Sequence, residues 1–491
     1  MTCVTRLWIS PLVFATSLLA APPDVRLLEA VKNSDTAAIQ KLLPQNVDLS
    51  AADTDGSTAL HWAVRKDNLE AADLLLRGGA NVKSANRYGV TPLSLASVNG
   101  NAAMIESLLK AGADPNSALP GGETALMTAA RTGKVAAVKA LIAHGADVNF
   151  KESQRGQTAL MWAAADGNTA VVEELIERGA DKRAATKGGL TPLLFAVREG
   201  RIDVVRALLK SGADANEIWK AGRGTGVNGI SAMVLAVANA HYELAAMLLD
   251  AGADPNAAAQ GWTALHQITW VRKPGKGDND PAPEGSGNLS SLDMVRKLVA
   301  KGANINARMT KKGNVGRTDL NMTGATPFLM AARAADAPLM RLLAELGADP
   351  LLPNADGTTP LLAAAGVGTY SPGEDPGSEP EVLEAVKVAL DLGGSVNDVD
   401  KNGETVIHAT GYKQVPSVTQ FLLDQGAKIE IWNRKNTTGW TPLRMADGVM
   451  FGGAAIRSSP GNADILRKVM TAAGVSTVVE PDIVRAGHPV K

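Results

Sequence analysis

Met104, Ile105, Leu108 and Leu109 stand at the three- and four-residue spacing that gathers apolar side chains on one face of a helix. The segment from Ala102 to Gly112, "AAMIESLLKAG", thus predicts a short helix, and Gly112 supplies a left-handed residue to end it. Just before it, "TPLSLASVNG" from Thr91 to Gly100 predicts another. The Thr91 hydroxyl can cap its start, and Pro92 stands where a first turn has no use for its N–H. Two antiparallel helices fit that length.

The pair recurs. Segments opening with Thr, once Ser, then a small residue or Pro and an apolar one begin at Thr58, Thr91, Thr124, Thr158, Thr191, Ser231, Thr263, Thr326, Thr359, Thr405 and Thr441. Their separations are 33, 33, 34, 33, 40, 32, 63, 33, 46 and 36, a period of 33 broken by insertions. A glycine followed by Ala-Asp or a variant, as at Gly112, Gly145 and Gly212, falls 21 residues after the opening Thr in eight units. One unit cannot bury its own apolar stripe; stacking on neighbours supplies the cover and a continuous core.

These units resemble the ankyrin repeat, whose 33-residue unit carries a T-P-L-H-x-A signature, matched by "TALHWA" from Thr58, "TPLSLA" from Thr91, "TPLLFA" from Thr191 and "TALHQI" from Thr263. The resemblance implies an all-α solenoid of about eleven helix-turn-helix units joined by short β-hairpin fingers. With the N-terminal apolar run read as a signal peptide at 1–21, the organisation is an N-terminal capping helix pair at 22–57, the repeat array at 58–474 and a tail at 475–491. The resemblance also implies that His61, His266 and His408, which occupy the signature's histidine position, hydrogen-bond between loops.

Departures from the period fall in two places. Between the helices of a unit, extra Gly- and Pro-rich residues occur near 271–288, 368–380 and 448–461, on the edge the family geometry places opposite the fingers. Between units, the gap from Gly to the next Thr grows from 12 to 19 after Gly212, 24 after Gly302 and 15 after Gly426, and the second of these enlarges a finger over 307–323. Such inserts are either tolerated surface drift or functional loops.

Composition narrows the functional classes. With Lys+Arg 49 and Asp+Glu 50 the formal charge is -1, so the total favours neither nucleic acid nor an anionic membrane as partner. Arg6 and the apolar run from Leu7 to Ala21, interrupted by Ser10 and Pro11, are too short for a stable membrane span and predict a signal peptide, hence a secreted or periplasmic protein. The single cysteine, Cys3, lies inside that segment, so a processed chain would lack disulfides, thiolate metal sites and Cys nucleophiles. The Asn-x-Ser/Thr triplets at Asn288, Asn321 and Asn436 occur about as often as chance gives.

Little in the chain points to catalysis or a cofactor. "GTGVNG" from Gly224 to Gly229 satisfies G-x-G-x-x-G but lacks a preceding parallel strand and a βαβ setting, and reads as a glycine-rich finger. Asp278, Asn279, Asp280 and Glu284 lack the glycine and terminal glutamate of a calcium loop, and no histidine pair stands at metal-ligand spacing. No G-x-S-x-G, H-E-x-x-H or Walker loop occurs, so no cofactor is expected.

A partner surface is expected instead. Ankyrin arrays bind through a groove lined by first helices and fingers. Seven residues after each opening Thr or Ser stand Arg65, Val98, Arg131, Ala165, Arg198, Ala238, Trp270, Arg333, Gly366, Tyr412 and Gly448, and Lys66 and Lys413 follow two of them. With Asp166 and Glu199 subtracted, this row is basic, which suits an acidic protein partner; the plainer alternative is a solvated helix face. Tyr88, Trp262 and Trp440, at finger positions, are the expected aromatic anchors, whereas Trp62 and Trp162 fit the core. The expected function is a non-catalytic protein-binding scaffold. The alternative is an accessory subunit of an exported enzyme, or a cell-wall or carbohydrate binder, using the C-terminal inserts.

Overall fold

The computed structural model describes residues 25–220, 228–274, 283–311, 318–369, 373, 375–451, 454–456 and 458–479. The signal-peptide reading of 1–21 with Cys3, the tail beyond 479, most of Gly224–Gly229, and Asp278, Asn279 and Asp280 lie outside these residues. The chain forms two compact units, 1–147 and 148–491.

In the first unit four helical hairpins follow one another: Arg26–Lys32 with Thr36–Leu42, Ala59–Arg65 with Leu69–Arg77, Pro92–Asn99 with Ala102–Lys110, and Ala125–Arg131 with Val135–Ala143. First helices pack on first helices and second on second, giving two layers. The local chemistry is as the sequence implies. Thr91 Oγ1 accepts the Ser94 N–H at 3.2 Å, Pro92 opens the helix, and Gly112 has a φ of 91°. Met104, Ile105, Leu108 and Leu109 are all buried between neighbouring hairpins.

The second unit holds eight hairpins. Their first helices are Ala159–Asp166, Pro192–Arg198, Ala232–Ala238, Ala264–Arg272, Pro327–Arg333, Pro360–Ala365, Val406–Lys413 and Pro442–Asp447. The respective second helices are Thr169–Glu177, Ile202–Lys210, Tyr242–Asp250, Ser291–Ala300, Ala337–Glu345, Glu379–Asp391, Pro416–Asp424 and Pro460–Ala472. Both units are thus all-α solenoids. Strands are few among the described residues, and they differ from the expected hairpin at every finger. Ile218–Lys220 pairs antiparallel with Asn228–Ser231 in one finger, and Val449–Phe451 with Ala454–Ile456 between the last two helices. The other fingers are tighter: Ala52 with Thr58 and Ala118 with Thr124 form single antiparallel bridges, and Asn86 Oδ1 accepts the N–H groups of Tyr88 and Val90, both at 3.0 Å, beside the Asn86 N–H bond to Val90 O.

The three signature histidines link consecutive repeats. His61 Nδ1 accepts the Thr58 N–H at 3.2 Å while Nε2 meets Val90 O at 3.0 Å, one repeat on. His266 and His408 do the same to Ala325 O (3.1 Å) and Arg434 O (3.0 Å). Burial holds both of the latter near a pKa of about 4, so they are neutral, with the proton on Nε2. A second set of links was not foreseen. Asn116 Nδ2 donates to Gly145 O at 3.0 Å while its Oδ1 accepts the Asp147 N–H at 2.7 Å. Asn149, Asn216, Asn256 and Asn397 repeat that bridge in the second unit.

Candidate functional site

In the first unit the row at the seventh position is open. Arg65, Lys66, Val98 and Arg131 are exposed, and Tyr88 on the neighbouring finger is 69% exposed. Each arginine faces a finger carboxylate at long range, Arg65 with Asp55 at 3.9 Å and Arg131 with Glu123 at 3.7 Å. These finger carboxylates cancel part of the row's positive charge. Exposed pairs of this length are weak. Trp62 is half-buried rather than core: its Nε1 donates to Asp53 Oδ2 at 2.7 Å, and its ring lies under Lys32 and Arg65 at 5.2 and 4.7 Å.

The second unit treats the same row differently. Arg198 is half-buried over Phe195 and paired with Glu199 at 2.8 Å, and Trp162 is half-buried rather than core. Trp262 and Trp270 stack edge to face with centroids 5.4 Å apart, both half-buried, and Trp262 Nε1 donates to Gln267 at 2.9 Å. Three expected contact residues are buried. Arg333 is 7% exposed and pairs with Asp375 at 3.1 Å; Lys413 donates to Pro376 O at 3.1 Å, and burial lowers its pKa to about 8; Tyr412 is buried against Met445 and Val449. Trp440 packs on that same cluster instead of standing free on its finger.

The inserts explain the burial. The one after Pro360–Ala365 brings Asp375 and Pro376 to the ends of Pro327–Arg333 and Val406–Lys413. The enlarged finger before Thr326 runs back to meet it, with Thr318 bridged to Thr369 and the Asp319 N–H donating to Gly368 O at 3.1 Å. Leu320 is thereby buried, and the chain covers its own first-helix face. The described ends of the 271–288 insert are likewise tied down: Lys273 pairs with Glu381 at 2.5 Å, and Asn288 N–H donates to Glu243 at 2.8 Å.

Beneath this cover lies a group that the sequence reading passed over. Glu404, 6% exposed, accepts Tyr412 Oη at 2.9 Å and Asn436 Nδ2 at 2.8 Å on Oε1, while its Oε2 is buried with no partner among the described residues. Burial raises its pKa to about 7, with Asp400 adding to the rise. Glu404 precedes an opening Thr, a position held elsewhere mainly by apolar or neutral residues such as Val90, Leu190 and Ile230; a carboxylate there was the available signal. A cavity of about 140 Å³ opens beside it.

Among the described residues no three His, Cys, Asp or Glu side chains converge on a metal position, and no helix is long and apolar enough to cross a membrane. A family model for ankyrin repeats in three copies matches residues 27–119 and 126–219, and one for the single ankyrin repeat matches 228–259. Among solved structures, the ankyrin repeat domain of human ASB11 is similar at 26% identity and a TM-score of 0.41, covering 47% of this chain and 98% of that one. No curated protein matches. Ankyrin repeats are generally protein–protein interaction modules. With capped hairpins recurring every 33 residues, histidine links between them and family matches over their first half, the chain is an ankyrin-repeat protein.

Proposed function

We propose that the chain is a non-catalytic scaffold that binds a protein partner through the first-helix row and finger of its first unit. The observation that carries this reading is the exposure of Arg65, Val98 and Arg131 at one repeat position, beside the largely exposed Tyr88. Arginine and tyrosine are the residue types that dominate interface energetics, and the loosely held Asp55 and Glu123 pairs give way to an acidic partner segment. An exported setting belongs to the same proposal, supported by Arg6 and the apolar run 7–21.

Affinity capture from periplasmic or extracellular extract tests it, using the full chain and a variant with Arg65→Glu, Tyr88→Ala, Val98→Asp and Arg131→Glu. Proteins retained by the parent should be lost from the variant. Identical retention by the two would show that this surface is not the binding face.

A further inference from the structure

In the first unit, Glu123 immediately precedes an opening Thr and Arg131 stands seven residues after that Thr, so the chain supplies its own cation to that carboxylate. In the second unit the same two positions hold Glu404 and Tyr412. Tyr412 Oη donates a hydrogen bond to Glu404 Oε1, Oε2 is buried and unsatisfied, and Glu404 lines the cavity. Desolvated acceptors of this kind call for a donor.

The walls favour the same ligand. Asp319, Asp356 and Glu404 line the cavity, and no lysine, arginine or histidine does so among the described residues. Three of its hydroxyls have their protons engaged and present oxygens: Thr358 Oγ1 donates to Asp400 at 2.8 Å, Thr438 Oγ1 to Asn436 Oδ1 at 2.6 Å, and Tyr412 Oη to Glu404. These walls favour a ligand that brings donors and a positive charge. A metal ion is a poorer fit, because among the described residues the carboxylates that line the cavity do not converge on one metal position. With one free carboxylate oxygen, the site suits a compact ammonium better than a guanidinium, which pairs with both oxygens at once. The volume is far below that of a drug-sized pocket and holds the end of one side chain.

We infer that this cavity is a receptor for a primary ammonium on an unbranched carbon chain, the end of a lysine side chain of a protein partner, with Glu404 as its counter-ion. That the ammonium is protein-borne rests on the scaffold reading above; the preference of the cavity for an ammonium does not, and its residues are not those of the row in the first unit.

Calorimetry on the full chain tests it with N-acetyl-lysine methylamide, its neutral norleucine counterpart and n-butylammonium. The lysine probe should bind, and the norleucine probe should not. Glu404→Gln should weaken binding at least tenfold, and Thr437→Lys, an exposed rim change that brings its own ammonium, should do the same with an unchanged far-UV spectrum. Affinity should also rise from pH 6 to pH 8 as Glu404 ionises; Asp400, Tyr412, Asp319 and Asp356 are the other ionisable groups around it. Equal binding of the norleucine probe, or an affinity unmoved by Glu404→Gln, overturns the inference. Binding of n-butylammonium without the lysine probe overturns the protein-borne source alone.

Discussion

Glu123 and Glu404 occupy one repeat position and meet opposite fates. The first is partly exposed, with Thr128 Oγ1 at 2.7 Å and Arg131 at 3.7 Å; the second is buried under inserts, with a phenol where the arginine would be. Likewise Arg131 and Arg333 share the seventh position, one open to solvent and one enclosed with Asp375. A repeat fixes where a side chain leaves the backbone. What covers it is decided by the insert that lies nearby, and with the cover come the low dielectric, the shifted pKa and the strength of the pair.

The largest test of this contrast is Arg333→Ala. It leaves Asp375 enclosed without its cation and should cost the second unit about 3–5 kcal/mol, read by urea unfolding or by hydrogen exchange of its hairpins. Next is the pH profile of Glu404. Its folded pKa of about 7 lies above the ordinary value of 4.5, so its contribution is complete below pH 4.5 and is lost as pH rises through 7, about 3 kcal/mol in all. Hydrogen exchange around residues 404–436 should quicken over that window, and Tyr412→Arg, which restores the pairing of the first unit, should flatten the profile. His408 acts in the other direction: its folded pKa of about 4 lies below 6.5, so the fold loses up to about 3 kcal/mol as pH falls from 6.5 through 4, checked by the same exchange at acid pH. The smallest effect belongs to Arg131→Ala, which should change stability by no more than about 1 kcal/mol in urea unfolding. A loss as large as that for Arg333 would erase the distinction between the two settings.

The repeat and its caps were legible because they are local. Thr91, Pro92 and Gly112 act on their own helix ends, and the apolar stripe of Met104 to Leu109 needs only a neighbour of the same kind. The histidine links followed from the family signature. The exposure of Arg65 and Arg131 was legible too, because those repeats have no inserts to hide them. Burial of Arg333, Tyr412 and Lys413 was not, since it arises from contacts between segments some fifty residues apart, as with Thr318 and Thr369. Nothing in the spacing of either insert announces that they meet. The pairing of the row was not legible for a related reason: Asp55, Glu123 and Asp375 come from fingers and inserts, away in sequence from the helix positions they face.

The bridge from Thr318 to Thr369 has a mechanical consequence. Elsewhere in the second unit, adjoining repeats are joined at their edges by rungs such as the Asn149 and Asn256 bridges, each able to open like a coil of a spring. Around residues 318–369 the chain is stitched back across its own turns. Under tension that stretch should keep its pitch while the coils on either side lengthen, so that the second unit behaves as an elastic rod with one stiff collar.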